Sequence, residues 1–181
     1  MLTQLQVRNF EASFDMLDNN RDGTIDGMDL ADFARSVCDA LGVAADSPER
    51  AAIINIYSSL WETIRRAAEA DDDGRVSRAE YMAAAGTLIH DDDYIDACGR
   101  LSDAYFDVVD IDDDGFLSPD EVIPLHQSMG MDASTSAAAF AQVDTDDDGR
   151  VSRDEWRAAV VGIYLNDSPE GIGSNMLGNA K

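Results

Sequence analysis

The stretch DIDDDGFLSPDE, Asp110 to Glu121, puts five aspartates and a glutamate into twelve residues. Like charges at that density repel, so the run is either a solvated patch or a shell around something strongly positive. The spacing favours the shell. Asp110, Asp112, Asp114 and Ser118 fall on alternating positions, Gly115 supplies a residue that accepts a sharp bend, and Glu121 follows with a longer carboxylate. A curling chain with oxygens at alternate positions suits a hard divalent cation, which takes roughly six to eight oxygen ligands. Asp113 and Asp120 fall outside the ligand positions and are expected to face solvent.

The run is one of four. Aligned on the sixth residue, DNNRDGTIDGMD (Asp18 to Asp29), EADDDGRVSRAE (Glu69 to Glu80), DIDDDGFLSPDE and DTDDDGRVSRDE (Asp144 to Glu155) share glycine at that position: Gly23, Gly74, Gly115 and Gly149. The eighth residue is apolar and branched each time: Ile25, Val76, Leu117 and Val151. Helical apolar spacing flanks each run. Phe10, Phe14 and Leu17 precede the first, and Leu30, Phe33, Val37 and Leu41 follow it. Leu101, Tyr105 and Val108 or Val109 precede the third, while Trp156, Val160 and Tyr164 follow the fourth. These stripes read as core.

The four copies resemble the EF-hand, a twelve-residue calcium loop between two helices, and the resemblance extends over nearly the whole chain. It implies an all-α fold of four EF-hands in two pairs packed as one compact globule. It also assigns ligand positions. In the third loop these are Asp110, Asp112, Asp114, the Phe116 carbonyl, Ser118 and Glu121; in the fourth, Asp144, Asp146, Asp148, the Arg150 carbonyl, Ser152 and Glu155. The first loop offers Asp18, Asn20, Asp22, the Thr24 carbonyl, Asp26 and Asp29. The second offers Glu69, Asp71, Asp73, the Arg75 carbonyl, Ser77 and Glu80. Ser77 with Glu80, Ser118 with Glu121 and Ser152 with Glu155 also spell helix starts, with Pro119 in the first turn; this is compatible, since the exiting helix begins inside the loop.

The loops are not equal. The third and fourth have aspartate at positions one, three and five and glutamate at twelve, and are expected to bind most tightly. The first ends in Asp29, whose shorter side chain favours a smaller shell, so magnesium is expected to compete there. The second starts with Glu69, and one extra methylene crowds the start of the loop, making it the expected silent hand. Three calcium ions are therefore expected, in loops one, three and four.

Pairing of the position-eight residues should bring Ile25 against Val76 and Leu117 against Val151. That divides the chain into hands one and two (1–91) and hands three and four with a tail (92–181), the boundary lying near His90 to Tyr94. The loops start at 18, 69, 110 and 144, an uneven spacing, and a long amphipathic helix is expected from Arg50 to about Ala68. That layout is similar to the sarcoplasmic calcium-binding proteins and the bacterial calerythrins, which implies lobes packed into one body and a buffering role. The tail segment with Ile172, Met176 and Leu177 is read either as folding over an apolar cleft or as terminal disorder.

Composition limits the partners. With 37 acidic against 13 basic side chains and a formal net charge of -24, nucleic acid and anionic membrane surfaces are poor partners. The chain still carries two tryptophans, five tyrosines and six phenylalanines, so a folded core is expected rather than disorder. Cys38 and Cys98 lack CxxC spacing and read as buried thiols. The N-terminal stretch lacks the pattern of a secretory signal and no segment reaches the length of a membrane span, so a cytoplasmic monomer is expected. The two histidines, His90 and His126, read as surface or packing residues, and no GxSxG or HExxH pattern points to an enzyme. Two roles remain: a calcium buffer or signal modulator, and a sensor that exposes a groove to a protein or peptide target. Seven methionines scattered along the chain favour the buffer.

Overall fold

Each acidic run lies between two helices, and the helices account for most of the chain. The computed structural model describes residues 1–68, 73–168, 171 and 173. Among them, hand one is α1 (Gln4–Leu17), β1 (Thr24–Ile25) and α2 (Gly27–Ala40). Hand two is α3 (Pro48–Ala68), β2 (Val76–Ser77) and α4 (Arg78–Leu88). Hand three is α5 (Asp92–Val109), β3 (Phe116–Leu117) and α6 (Pro119–Ser128), and hand four is α7 (Ala133–Val143), β4 (Val151–Ser152) and α8 (Arg153–Leu165).

The exiting helices start where the chain supplies caps. Ser77 and Ser152 accept from the backbone N–H of Glu80 and Glu155, and these glutamates reach back to the cap residues. Hand one uses a variant that sequence reading overlooked: Asp26 accepts from Met28 and Asp29, and the Asp29 carboxylate accepts from the Asp26 N–H at 3.1 Å. Hand three adds Pro119 at the first turn, where its missing N–H has no intrahelical partner to lose.

The strands pair within each half. Ile25 faces Val76 and Leu117 faces Val151, both antiparallel, as the position-eight alignment required. All four are buried, so each pair seals the inner side of two loops.

A single hydrophobic core runs through both halves. Phe10 of α1 packs on Tyr81 of α4 but also on Tyr94 of α5 and Tyr164 of α8, with ring centroids 5.1–6.4 Å apart. The most extensive helix contact, α3 against α5, lies between the halves. Polar groups tie the chain ends together as well: the Asn9 side chain donates to the Ile163 carbonyl at 2.6 Å, and the Ser13 hydroxyl lies 2.9 Å from that of Tyr164. Cys38 and Cys98 are buried free thiols, and burial pushes the Cys98 pKa up to about 12. Among the described residues, no helix is long and apolar enough to cross a membrane.

Candidate metal centre

Position one of each described loop start closes the bend. Asp110 accepts from the N–H groups of Asp114 and Gly115 at 3.1 and 3.0 Å. Asp144 does the same with Asp148 and Gly149, and Asp18 with Asp22 and Gly23. Position five then accepts from the N–H of position seven: Asp22 from Thr24, Asp73 from Arg75, Asp114 from Phe116 and Asp148 from Arg150, at 2.8–3.0 Å. These bonds turn the carboxylates inward by fixing the backbone that carries them.

The bend requires left-handed backbone at two positions. Gly115 and Gly149 have φ of 84° and 83°, where a Cβ would be strained. Position four is also left-handed, at Arg21 (59°), Asp113 (55°) and Asp147 (57°). Aspartate tolerates this region better than most residues, which gives Asp113 and Asp147 a conformational role. Asp113 and Asp120 are exposed, as expected for carboxylates outside the shell.

Among the described residues, two groups of three carboxylates result. Oxygens of Asp110, Asp112 and Asp114 lie within 4.8 Å of one another, and so do those of Asp144, Asp146 and Asp148. At that distance each pair of charges repels by about 1 kcal/mol in bulk water and about 3.5 kcal/mol at an effective surface dielectric. A hard cation at the centre reverses the sign, and carboxylate oxygens are the donors such an ion selects. The donor set therefore fits calcium.

Position twelve braces the loop from the other side. Glu155 accepts from the Thr145 N–H and hydroxyl through one oxygen, at 2.9 and 2.6 Å, and from the Ser152 N–H and hydroxyl through the other, at 2.9 and 2.7 Å. Partial burial opposes its ionisation, but these bonds outweigh burial and hold its pKa down at about 2. Glu121 has the matching bonds to Ile111 and Ser118 and is also shifted down against its burial. Asp29, one methylene shorter, is shifted up because burial dominates there. The carboxylate at position twelve of hand one is thus held less firmly in its charged form than those of hands three and four.

Of the second loop, Glu69 and Asp71 lie outside the described residues. Asp73, Arg75, Ser77 and Glu80 are described, with the Ser77 N–H donating to Glu80 at 2.9 Å. Arg75 reaches across to the first loop and pairs with Asp22 at 3.3 Å. In the other half, Arg150 lies over the Phe116 ring, 4.0 Å from its centroid.

A matched pair of clamps, not foreseen from the sequence, joins the two hands of each half. Arg78 pairs with Asp15 and covers Phe14; Arg153 pairs with Asp107 and covers Phe106. Both arginines sit one residue after the strand pair, at position ten of an even-numbered loop, which is the signal that could have found them.

By sequence, residues 100–161 match the EF-hand domain pair and residues 10–34 the EF hand. No curated protein matches the chain. Among solved structures, a Streptomyces coelicolor calcium-binding protein is similar, at 26% identity and a TM-score of 0.76, over 88% of this chain and 98% of that one. The calcium-regulated photoprotein mitrocomin from the jellyfish Mitrocoma cellularia shares the fold at 21% identity and a TM-score of 0.76, over 98% of this chain and 94% of that one. A sarcoplasmic calcium-binding protein from amphioxus does so at 16% identity and a TM-score of 0.73, over the full length of both. With acidic loops between paired helices, the two segments of this chain at residues 10–34 and 100–161 are EF-hand sequence, and the fold around them is that of EF-hand proteins.

Proposed function

We propose that the protein binds calcium through loops one, three and four and acts as a calcium buffer or signal modulator. The observation that carries this reading is the convergence of Asp110, Asp112 and Asp114, repeated by Asp144, Asp146 and Asp148. Around each ion the shell is completed by the Phe116 carbonyl, Ser118 and Glu121, or by the Arg150 carbonyl, Ser152 and Glu155. Loop one uses Asp18, Asn20, Asp22, the Thr24 carbonyl, Asp26 and Asp29, and admits magnesium more readily. Loop two is silent. Hands one and two (1–91) and hands three and four (92–181) form the paired units, and the protein is a cytoplasmic monomer without nucleic-acid partners.

The buffer role is supported by the closed core, since the large apolar side chains exposed among the described residues are only Met1, Met28, Ile111 and Leu165. Isothermal titration with calcium, repeated in millimolar magnesium, tests the site count and selectivity. Three sites are expected, one of them weakened by magnesium; empty third and fourth loops would overturn the reading.

A sensor is the second reading. The Streptomyces coelicolor relative is described in connection with prokaryotic calcium-mediated regulation. A hydrophobic dye separates the two roles: strong binding that appears only with calcium indicates a sensor, and its absence a buffer.

A further inference from the structure

Between the two halves lies a cavity of about 90 Å³, lined by α1, α2, α3, α5, α6 and α8 and by Met129 just beyond α6. Its walls are almost wholly apolar, with the rings of Tyr57, Tyr94, Tyr105, Trp156 and Tyr164 prominent. Among the described residues no carboxylate or basic group other than a histidine lines it, and the Cys98 thiol in its wall is kept protonated by burial. A charged occupant is disfavoured by such surroundings.

The histidine is His126, only 2% exposed. Its ring is stacked 6.4 Å from that of Trp156, and Nδ1 lies 2.8 Å from the Ser136 hydroxyl. Nε2 has no hydrogen-bond partner, one of two such buried side-chain atoms among the described residues. Burial lowers the His126 pKa to about 4, so near neutral pH the ring is uncharged. A neutral imidazole leaves one donor or acceptor at Nε2, and an unsatisfied buried group of this kind is costly.

Water is a poor match for this space. The cavity exceeds the share of liquid volume of a single water, about 30 Å³, while a buried water makes about three hydrogen bonds to polar walls. Here the walls offer one unpaired side-chain atom among the described residues, His126 Nε2. The space is smaller than the engineered cavity of about 150 Å³ that holds benzene, but Met16 and Met129 contribute to the lining and are adaptable side chains.

The geometry points to a binding site for a small neutral aromatic molecule carrying one hydrogen-bonding group, its ring among the tyrosines and Trp156 and its polar group on His126 Nε2. A phenol is the simplest member of that class, because its hydroxyl can donate or accept and so suits either histidine tautomer. The site is separate from the metal loops and stands whether or not the calcium reading holds.

The test uses the full chain in millimolar calcium, titrated with phenol and, separately, with benzene. Ring nitrogen resonances of His126 are followed by ¹⁵N NMR, and exposed His90 serves as the internal control. Phenol is expected to shift the His126 Nε2 resonance, whereas benzene binds without moving it comparably. His126→Leu should reduce the phenol-to-benzene affinity ratio roughly fivefold, the size of one buried hydrogen bond. Val160→Phe, which fills the cavity from α8, should abolish binding of both probes while the helical circular dichroism is kept. Unshifted His126 resonances at millimolar phenol, or undiminished binding by folded Val160→Phe, would overturn the proposal. Should His126→Leu fail to fold, the parent resonance shift and Val160→Phe still decide.

Discussion

The Tyr57 hydroxyl on α3 lies 3.1 Å from the Tyr105 hydroxyl on α5, a buried polar contact between the two halves. Replacing either tyrosine by phenylalanine leaves the other hydroxyl buried without this partner, at a cost of about 1–3 kcal/mol. Replacing both should cost less than the sum, because no orphan remains. Denaturant unfolding of Tyr57→Phe, Tyr105→Phe and the double variant measures the coupling. Strict additivity would mean that the hydroxyls do not support each other.

Removing the ion should loosen the protein. Binding to the native state adds about 2.7 kcal/mol per site at a hundredfold excess over Kd. For three sites in a chain of this size, chelation should lower the melting temperature by roughly 15–30 °C. Scanning calorimetry with calcium and with chelator checks this, and equal melting temperatures would refute it.

Glu155→Gln should take one ion out of the calcium titration. The variant's single amide oxygen still accepts from the Ser152 N–H, so the helix cap survives, but the charge and the acceptor for the Thr145 N–H are lost, so hand four weakens. Isothermal titration reads the lost site, and far-ultraviolet circular dichroism reads the retained helix.

Asp29→Glu should sharpen the calcium preference of hand one. The longer carboxylate reaches the ion with both oxygens, a larger shell that magnesium does not adopt. Calcium titrations in millimolar magnesium should show less competition than in the parent. Glu69→Asp makes the matching change at the start of loop two and should raise the site count by one.

Acid should act through His126. Burial lowers its pKa from the ordinary 6.5 to about 4, so the unfolded chain takes up the proton first as pH falls. The neutral form supports folding fully above 6.5. Stability then declines as pH drops from 6.5 towards 4, by on the order of 3 kcal/mol, and this contribution levels off once the folded form is protonated too. His126→Gln should flatten that part of the curve in denaturant titrations at constant ionic strength.

The loops and helices were legible because each rests on a local pattern. Gly115 needs its bend, Leu117 needs its strand partner, and Phe10, Phe14 and Leu17 recur at helical spacing. The expected helix from Arg50 begins two residues earlier, at Pro48, a residue suited to a first turn. What was not legible depends on residues far apart in the chain. Met16 and Met129 looked scattered, yet both line the central cavity. His126 was read as surface or packing, and only the packing of α6 and α8 places it against Trp156 with one nitrogen unpaired. The clamps of Arg78 and Arg153 likewise need two hands in contact before they exist.

The tight seam of α3 on α5 has a mechanical consequence. Halves joined by a bare tether can swing together and embrace a peptide between them, but here rings of the two halves pack on each other around a cavity far too small for a peptide. Wrapping the halves around a partner would first have to pull α3 from α5 and Phe10 from Tyr94 and Tyr164, so the seam resists a closing jaw.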